Sequence, residues 1–233
     1  MTNPLDVRIL LFLNQFVHHS RVLDGLMAAL ARHAVFKGWV VVSIFWWVWF
    51  QPGAANPRNR KIVMATMVGA MVGVVAGRLL ADYLPFRTRP LNSPELGLVV
   101  PYGVSGDSFR RWSSFPSDHA MVFFAMSTGL WYVSKRLGAV MTLYVACLIA
   151  FPRVYLGYHY PTDIIGGALF GILFAYLANL EGVRARLAGP AMRWLDAHPA
   201  SFYTCFFLFT MALASLFDPL RELAASLMSS PAA

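Results

Sequence analysis

The chain has 233 residues, of which 58% are hydrophobic and only 13% are charged, and its mean hydropathy is +0.57. This composition is too apolar for an ordinary water-soluble domain, so we expect an integral membrane protein. The net charge of +8 does not indicate nucleic-acid binding, because the basic residues are scattered between apolar segments; contact with anionic lipid head groups is expected instead. Cys147 and Cys205 lie inside apolar runs and predict neither a disulfide framework nor a cysteine-ligated metal.

The N-terminal segment, residues 1–33, predicts an amphipathic helix at the membrane interface. Its apolar residues recur at helical spacing, and they are Val22, Leu23, Leu26, Met27 and Leu30. Arg21, Asp24 and Arg32 occupy other positions, as on the polar face of such a helix. No cleavable signal peptide is expected, because the start lacks a basic region and polar residues interrupt the first apolar run.

Six apolar segments follow, and we expect each to be a membrane-spanning helix. They cover residues 34–50, 62–84, 120–134, 137–151, 164–180 and 201–217. A span needs about 20 residues, so some of these helices must extend into flanking residues. Glycines repeat every fourth residue in the second and fifth segments, which predicts close packing between helices. The predicted fold is an all-α integral membrane bundle of about six helices in a single domain, 1–233.

Three polar stretches lie at the ends of these apolar segments. They are residues 84–90, 115–119 and 153–163, and each carries arginine or histidine. With six spans, all three lie on the same side of the membrane. Ionisable residues at such positions are costly and usually functional, so this side is predicted to carry a site.

The third stretch has the residues that attack on a phosphoryl group requires. His159 and Asp163 are four residues apart, so in a helical backbone the carboxylate can hold one imidazole tautomer. Arg153 precedes His159 by six residues and supplies donors for phosphate oxygens. The alternative is an ordinary polar loop beside the membrane.

Taken together, the order Arg-Pro, Pro-Ser-x-His and Arg-x5-His-x3-Asp resembles the three-part signature of the type-2 phosphatidic acid phosphatase superfamily. The matching residues are Arg89, Pro90, Pro116, Ser117, His119, Arg153, His159 and Asp163. The resemblance covers residues 78–171. It implies a phosphatase in which His159 attacks phosphorus to form a phosphohistidine, Asp163 orients the imidazole, and His119 is the general acid and base.

The same resemblance implies a phosphate-binding set. Arg89 and Arg153 are expected to bind the phosphoryl oxygens, while Ser117 caps the anion at a helix N-terminus that Asp118 also favours electrostatically. Arg87 either extends this cradle or is an interfacial arginine. The loop before the second motif carries Arg110, Arg111 and Trp112, which are expected to meet a second phosphate or a sugar head group. The acidic residues are isolated, so neither a metal nor any other cofactor is expected.

Three positions depart from the family pattern. Asp118 stands where glycine is common, and Pro152 stands where serine is usual. Asp82 stands where the family usually has a lysine, which leaves part of the phosphate cradle unassigned. Arg78 lies one helical turn before Asp82 and either reaches the phosphate or only pairs with Asp82.

Within the family, the short chain and the stretch Ser-Phe-Pro-Ser-Asp-His look similar to bacterial undecaprenyl diphosphate phosphatases. The expected reaction is therefore hydrolysis of undecaprenyl diphosphate to undecaprenyl phosphate. The alternatives are a phosphatidylglycerophosphate or phosphatidate phosphatase, a lipid A phosphatase or phosphotransferase, or, from another class, a non-catalytic anion or lipid transporter.

The distribution of charge predicts the orientation in the bacterial inner membrane. Basic residues lie at the ends opposite the motifs, namely Arg58, Arg60, Lys61, Lys135, Arg136, Arg184, Arg186 and Arg193. The positive-inside rule makes that side cytoplasmic, so the site is expected to face the extracytoplasmic side.

Overall fold

The computed structural model describes residues 3–104 and 112–216, and the regular elements in these ranges are all helical. The α-helices are α1 (Pro4–Asn14), α2 (Arg21–Arg32), α3 (Val40–Trp49), α4 (Asn56–Tyr83), α5 (Asp118–Val133), α6 (Lys135–Tyr144), α7 (Phe151–Tyr155), α8 (Pro161–Asn179), α9 (Glu181–Ala197) and α10 (Pro199–Ala214). Two π-helices, Val35–Trp39 and Val145–Ala150, precede α3 and α7, and two short 3-10 helices, Pro90–Asn92 and Pro94–Leu96, follow α4. The predicted all-α class is confirmed.

Three helical stretches in the described ranges are long and apolar enough to cross a membrane. They are Asn56–Tyr83, Lys135–Tyr155 and Pro161–Asn179, and the pair α2 and Val35–Trp49, bent by 66°, adds a fourth if it counts as one broken span. Helices α5 and α10 have 16 residues each, or about 24 Å of length, against about 30 Å of hydrocarbon. The number of six spans is therefore not confirmed.

Helix α5 is short because Ser117 caps its start and α6 begins directly after its end. Ser117 caps its first turn, and Ser134 follows its last residue and begins α6 at once, where its hydroxyl accepts a hydrogen bond from the N–H of Leu137 at 3.5 Å. Between these caps α5 is largely buried and packs against α4, α6 and α8. It is the central helix of the bundle, and its N-terminus is part of the site described below.

Glycines allow α5 to pack this closely. A Cβ atom on Gly171 of α8 would overlap the carbonyl oxygen of Met121, and a Cβ atom on Gly129 would overlap the side chain of Thr66 in α4. The close packing that the glycine spacing predicts is confirmed at Gly171.

The N-terminal helices carry two buried carboxylates, Asp6 in α1 and Asp24 in α2. Asp24, which the sequence pattern places on the polar face of α2, is fully buried instead. It accepts hydrogen bonds from the hydroxyl of Tyr155 at 2.6 Å and from the N–H groups of His18 and Tyr102 at 3.2 Å each. The side of α2 that carries Val22 is exposed. The polar group thus points into the bundle, because three donors from other segments meet it there.

Candidate active site

The three polar stretches meet at one end of the bundle. The N–H of Ser117, the N-cap of α5, donates to the carbonyl of Asp163 in the first turn of α8 at 3.2 Å. The N–H of Leu91, after the first stretch, donates to the carbonyl of Gly157 at 2.9 Å. Gly157 has a φ of 69°, a left-handed conformation that reverses the chain after α7 and turns His159 back towards Arg153. The convergence predicted from the sequence is therefore present.

His159 is held in one tautomer by a backbone carbonyl. Its side chain is buried, and Nδ1 lies 2.9 Å from the carbonyl oxygen of Ser114, so Nδ1–H donates there and Nε2 keeps its lone pair. Nε2 faces the Nη1 of Arg89 at 3.2 Å. Burial, assisted by the charge of Arg89, lowers the pKa of His159 to about 4. The imidazole is therefore neutral at pH 7, as a nucleophile must be.

Asp163 lies beside His159, but its nearest hydrogen-bond partners are other groups. Its carboxylate lies 3.6 Å from Nδ1 of His159, so the direct partner of Nδ1 is the Ser114 carbonyl. The reason is that α8 begins only at Pro161, so His159 does not share a helix with Asp163. Asp163 instead accepts hydrogen bonds from the Ser114 hydroxyl and, at 2.8 Å, from the N–H of Tyr160. Asp163 therefore contacts both His159 and the residue whose carbonyl binds Nδ1.

Arg87 pairs with two buried carboxylates, which neither interpretation of the sequence anticipates. Its guanidinium donates to Asp163 at 2.5 Å, to Asp6 at 2.7 Å and to the hydroxyl of Thr162 at 2.9 Å. It also lies over the ring of Tyr160, 4.1 Å from the centroid. In the structure Arg87 thus joins α1 to the start of α8.

Asp6 is a site residue that sequence reasoning missed. It lies in α1, is 0% exposed, and accepts hydrogen bonds from the N–H of Thr162 at 2.9 Å as well as from Arg87. The N-terminal helix is thereby tied to the third motif. The only signal in the sequence is an aspartate just before the first apolar run.

Arg89 and Arg153 are both buried at the site end of the bundle. Arg89 is 7% exposed, and its Nη1 donates to the carbonyl of Tyr158 at 2.9 Å beside His159. Burial, and then the charge of Arg78, lowers the pKa of Arg89 to about 10, so it stays cationic at pH 7. Arg153 donates to backbone carbonyls of Ile149 and, at 3.4 Å, of Ala31 at the end of α2.

Arg78 pairs with Asp118 and not with Asp82, which is exposed. Its Nε donates to a carboxylate oxygen of Asp118 at 2.7 Å, and its guanidinium lies 5.7 Å from the ring centroid of Trp112. The pairing between Arg78 and Asp82 considered from the sequence is therefore wrong. Arg78 reaches the N-terminus of α5, one residue from His119. The positions predicted at Arg110 and Arg111 lie outside the described residues.

His119 has a buried lysine as its neighbour. It lies in the first turn of α5, next to Ser117, whose buried hydroxyl accepts from the N–H of Ala120 at 3.5 Å. Nε2 of His119 is 3.4 Å from Nζ of Lys37, which lies in the π-helix before α3. Sequence reasoning missed Lys37, although a single lysine inside a predicted span is a signal of function.

In the part of the chain that the structure describes, no group of three or more His, Cys, Asp or Glu side chains is arranged to hold a metal ion.

Comparisons with known proteins identify a family and several relatives of this chain. The sequence profile of the PAP2 superfamily matches residues 80–181. The chain is 24% identical to the undecaprenyl-diphosphatase BcrC of Bacillus subtilis over 160 residues, covering 69% of this chain and 75% of that protein. It is 30% identical to the lipid A 1-diphosphate synthase of Escherichia coli over 180 residues, 73% of each chain. The crystal structure of Aquifex aeolicus LpxE shares the fold, with a TM-score of 0.52 and 23% identity over 76% of this chain and 95% of that one.

Proposed function

The chain belongs to the PAP2 superfamily and is a membrane lipid phosphatase; from this premise we propose that it converts undecaprenyl diphosphate to undecaprenyl phosphate and inorganic phosphate. The observation that carries the mechanism is the buried, neutral His159, whose Nε2 lies beside Arg89 while Nδ1 is bound by a carbonyl. Similarity to the Bacillus subtilis undecaprenyl-diphosphatase supports the choice of substrate.

In the first step, the Nε2 lone pair of His159 attacks the terminal phosphorus. The bond between phosphorus and the bridging oxygen breaks, its electron pair stays on that oxygen, and His119 donates a proton to it. The imidazole becomes positively charged as the P–N bond forms. The Ser114 carbonyl bound to Nδ1–H and the Asp163 carboxylate at 3.6 Å stabilise that charge.

In the second step, water attacks the phosphohistidine. His119, now neutral, takes the proton from the water as the new P–O bond forms. The P–N bond breaks and its electron pair returns to Nε2 of His159. Inorganic phosphate leaves, and both histidines are restored to their starting protonation states.

The arginines bind the oxygens of the transferred phosphoryl group. Arg89 is held by the Tyr158 carbonyl beside Nε2, so it meets an equatorial oxygen as phosphorus approaches. Arg153 and the N-terminus of α5 at Ser117 complete the cradle. These donors act most strongly as charge redistributes in the transition state, and burial makes them more effective than in water.

Similarity to the lipid A 1-diphosphate synthase favours a second candidate, a lipid A phosphatase or phosphotransferase. A non-catalytic transporter fits less well, because binding an anion requires neither a neutral nucleophile nor a second histidine. For either enzyme we propose a site that faces the extracytoplasmic side of the bacterial inner membrane, since basic residues such as Arg58 and Lys61 begin α4 at its other end.

Phosphate release by the purified protein in detergent tests the proposal. The panel contains undecaprenyl diphosphate, phosphatidate, phosphatidylglycerophosphate and lipid A. We expect kcat/KM for undecaprenyl diphosphate to exceed the others by about tenfold or more, which is about 1.4 kcal/mol of transition-state binding. A higher kcat/KM for lipid A would support the second candidate. No release from any lipid would contradict the enzyme mechanism.

A further inference from the structure

A buried cation, Lys37, lies beside His119. Lys37 is 4% exposed, and its Nζ is 3.4 Å from Nε2 of His119. Lys37 lies outside the segment that the PAP2 profile matches, residues 80–181. The fold therefore brings into the site an ammonium group that the three motifs do not supply.

The local fold keeps Lys37 in this position. It lies in the π-helix Val35–Trp39, and the next residue, Gly38, packs so tightly against the end of α10 that a Cβ atom would overlap the carbonyl of Ala214. Lys37 therefore stays close to His119, where an ammonium group can bind an anionic oxygen of the substrate.

The position next to His119 identifies which part of the substrate Lys37 meets. In the proposed reaction His119 donates to the bridging oxygen, so an atom close to His119 lies close to the leaving group. A lipid monophosphate leaves as an alcohol, whose atoms beyond the oxygen are carbons. A lipid diphosphate leaves as a lipid phosphate, whose non-bridging oxygens are anionic and are good partners for an ammonium group.

We propose that Lys37 binds the leaving phosphate of a lipid diphosphate and makes the enzyme selective for diphosphates over monophosphates. This assignment rests on the proposed function, because it takes His119 as the general acid. When the bond between the terminal phosphorus and the bridging oxygen breaks, the electron pair stays on the lipid phosphate, which receives one proton from His119. Lys37 transfers no proton; it balances the charge on the non-bridging oxygens of that departing phosphate.

The test uses Lys37→Met, which keeps side-chain length and removes the charge, and two lipids with the same chain, undecaprenyl diphosphate and undecaprenyl phosphate. For the diphosphate, we expect kcat/KM to fall by about tenfold to a hundredfold, and for the monophosphate by less than about threefold. Lys37→Arg keeps a cation and should retain the preference for diphosphate. The matched control is Lys61→Met, an exposed lysine near the other end of α4, which should change neither value.

Each outcome decides the question. Equal losses on both lipids in Lys37→Met, or no loss on either, would overturn the role in binding the leaving phosphate while leaving the phosphatase mechanism intact. If Lys37→Met does not fold, as judged by its thermal unfolding, Lys37→Arg decides: a lost preference for diphosphate overturns the proposal. A wild-type protein that releases phosphate from neither lipid would instead refute the proposed function, and this inference with it.

Discussion

The two histidines of the site have unlike surroundings. His159 is buried, and its Nδ1 is bound by Ser114, which is itself fixed by Asp163. His119 is only partly buried, and charged side chains from other elements lie near it, namely Lys37 and, through Asp118, Arg78. A nucleophile must keep one tautomer and stay neutral, whereas a general acid must both give and take a proton beside a leaving group. Under our two proposals, the residues around His159 determine whether reaction occurs, and the residues around His119 determine which lipid reacts.

Removing the nucleophile should have the largest effect. His159→Ala deletes the attacking nitrogen at a site that polar groups already line, so we expect kcat to fall by about 1,000-fold or more with the fold retained. Phosphate release in detergent measures it. The control is His198→Ala, an exposed histidine between α9 and α10. Activity of His159→Ala within a few-fold of wild type would contradict the mechanism.

Loosening the support of the nucleophile should have the next largest effect. Asp6→Asn keeps the shape of the side chain but leaves Arg87 with one carboxylate partner, so Asp163 and Ser114 lose their fixed positions. We expect kcat to fall by about tenfold to a hundredfold with little change in KM, and stability to fall by about 3–5 kcal/mol, typical of a broken buried ion pair.

Asp196→Asn, in an exposed position on α9, is the matched control for Asp6→Asn and should be neutral. If Asp6→Asn unfolds more easily but keeps the wild-type kcat, Asp6 stabilises the fold without positioning the nucleophile.

On the leaving-group side, Arg78 should have a smaller effect. Arg78→Ala removes a cation that lowers the pKa of Arg89 and that holds Asp118 at the start of α5. We expect kcat/KM to fall by at least roughly tenfold, about 1.4 kcal/mol. Asp82→Ala should be close to neutral, because Asp82 is exposed and Arg78 pairs elsewhere. Equal and small effects of the two substitutions would remove Arg78 from the site.

Lowering the pH should have the smallest effect. We expect the charge of His159 to change little between pH 7 and pH 5. Burial lowers its pKa to about 4, so the folded protein keeps the imidazole neutral until the pH falls through that value. The unfolded chain takes up this proton below about pH 6.5, so His159 favours unfolding progressively as pH falls from about 6.5 to 4. NMR titration of histidine-labelled protein, with His159→Gln to assign the signal, measures the pKa. A midpoint near 6.5 would contradict a buried, neutral nucleophile.

The residues of the site divide into those that sequence predicts and those that it cannot. Arg89, His119 and His159 are predictable because each belongs to a short local pattern at the end of an apolar segment. Asp6 and Lys37 are not, because they reach the site from α1 and from the helix before α3, and only tertiary packing decides which motif residue each meets. The spacing of His159 and Asp163 likewise does not show whether they share a helix, and α8 begins between them.

Some features of the fold are also predictable from the sequence, and others are not. Apolar periodicity predicts that the segments are helical, and the glycine spacing predicts that they pack closely, because both depend on local sequence. Helix ends depend on caps: Ser117 and Ser134 limit α5 to 16 residues, so counting apolar residues does not give the number of full crossings. The burial of Asp24 is also not predictable from local sequence, because it depends on donors from Tyr155 and Tyr102.

In the proposed mechanism the phosphoryl group passes through a covalent bond to His159. The direct measurement is to mix the enzyme with lipid diphosphate labelled in its terminal phosphate, quench in alkali, which preserves phosphohistidine, and map the labelled peptide by mass spectrometry. We predict label on His159 in the wild type, absent from His159→Ala, and more persistent in His119→Ala, in which attack of water on the intermediate is slow. Turnover without label on His159, or with label on another residue, would contradict the account.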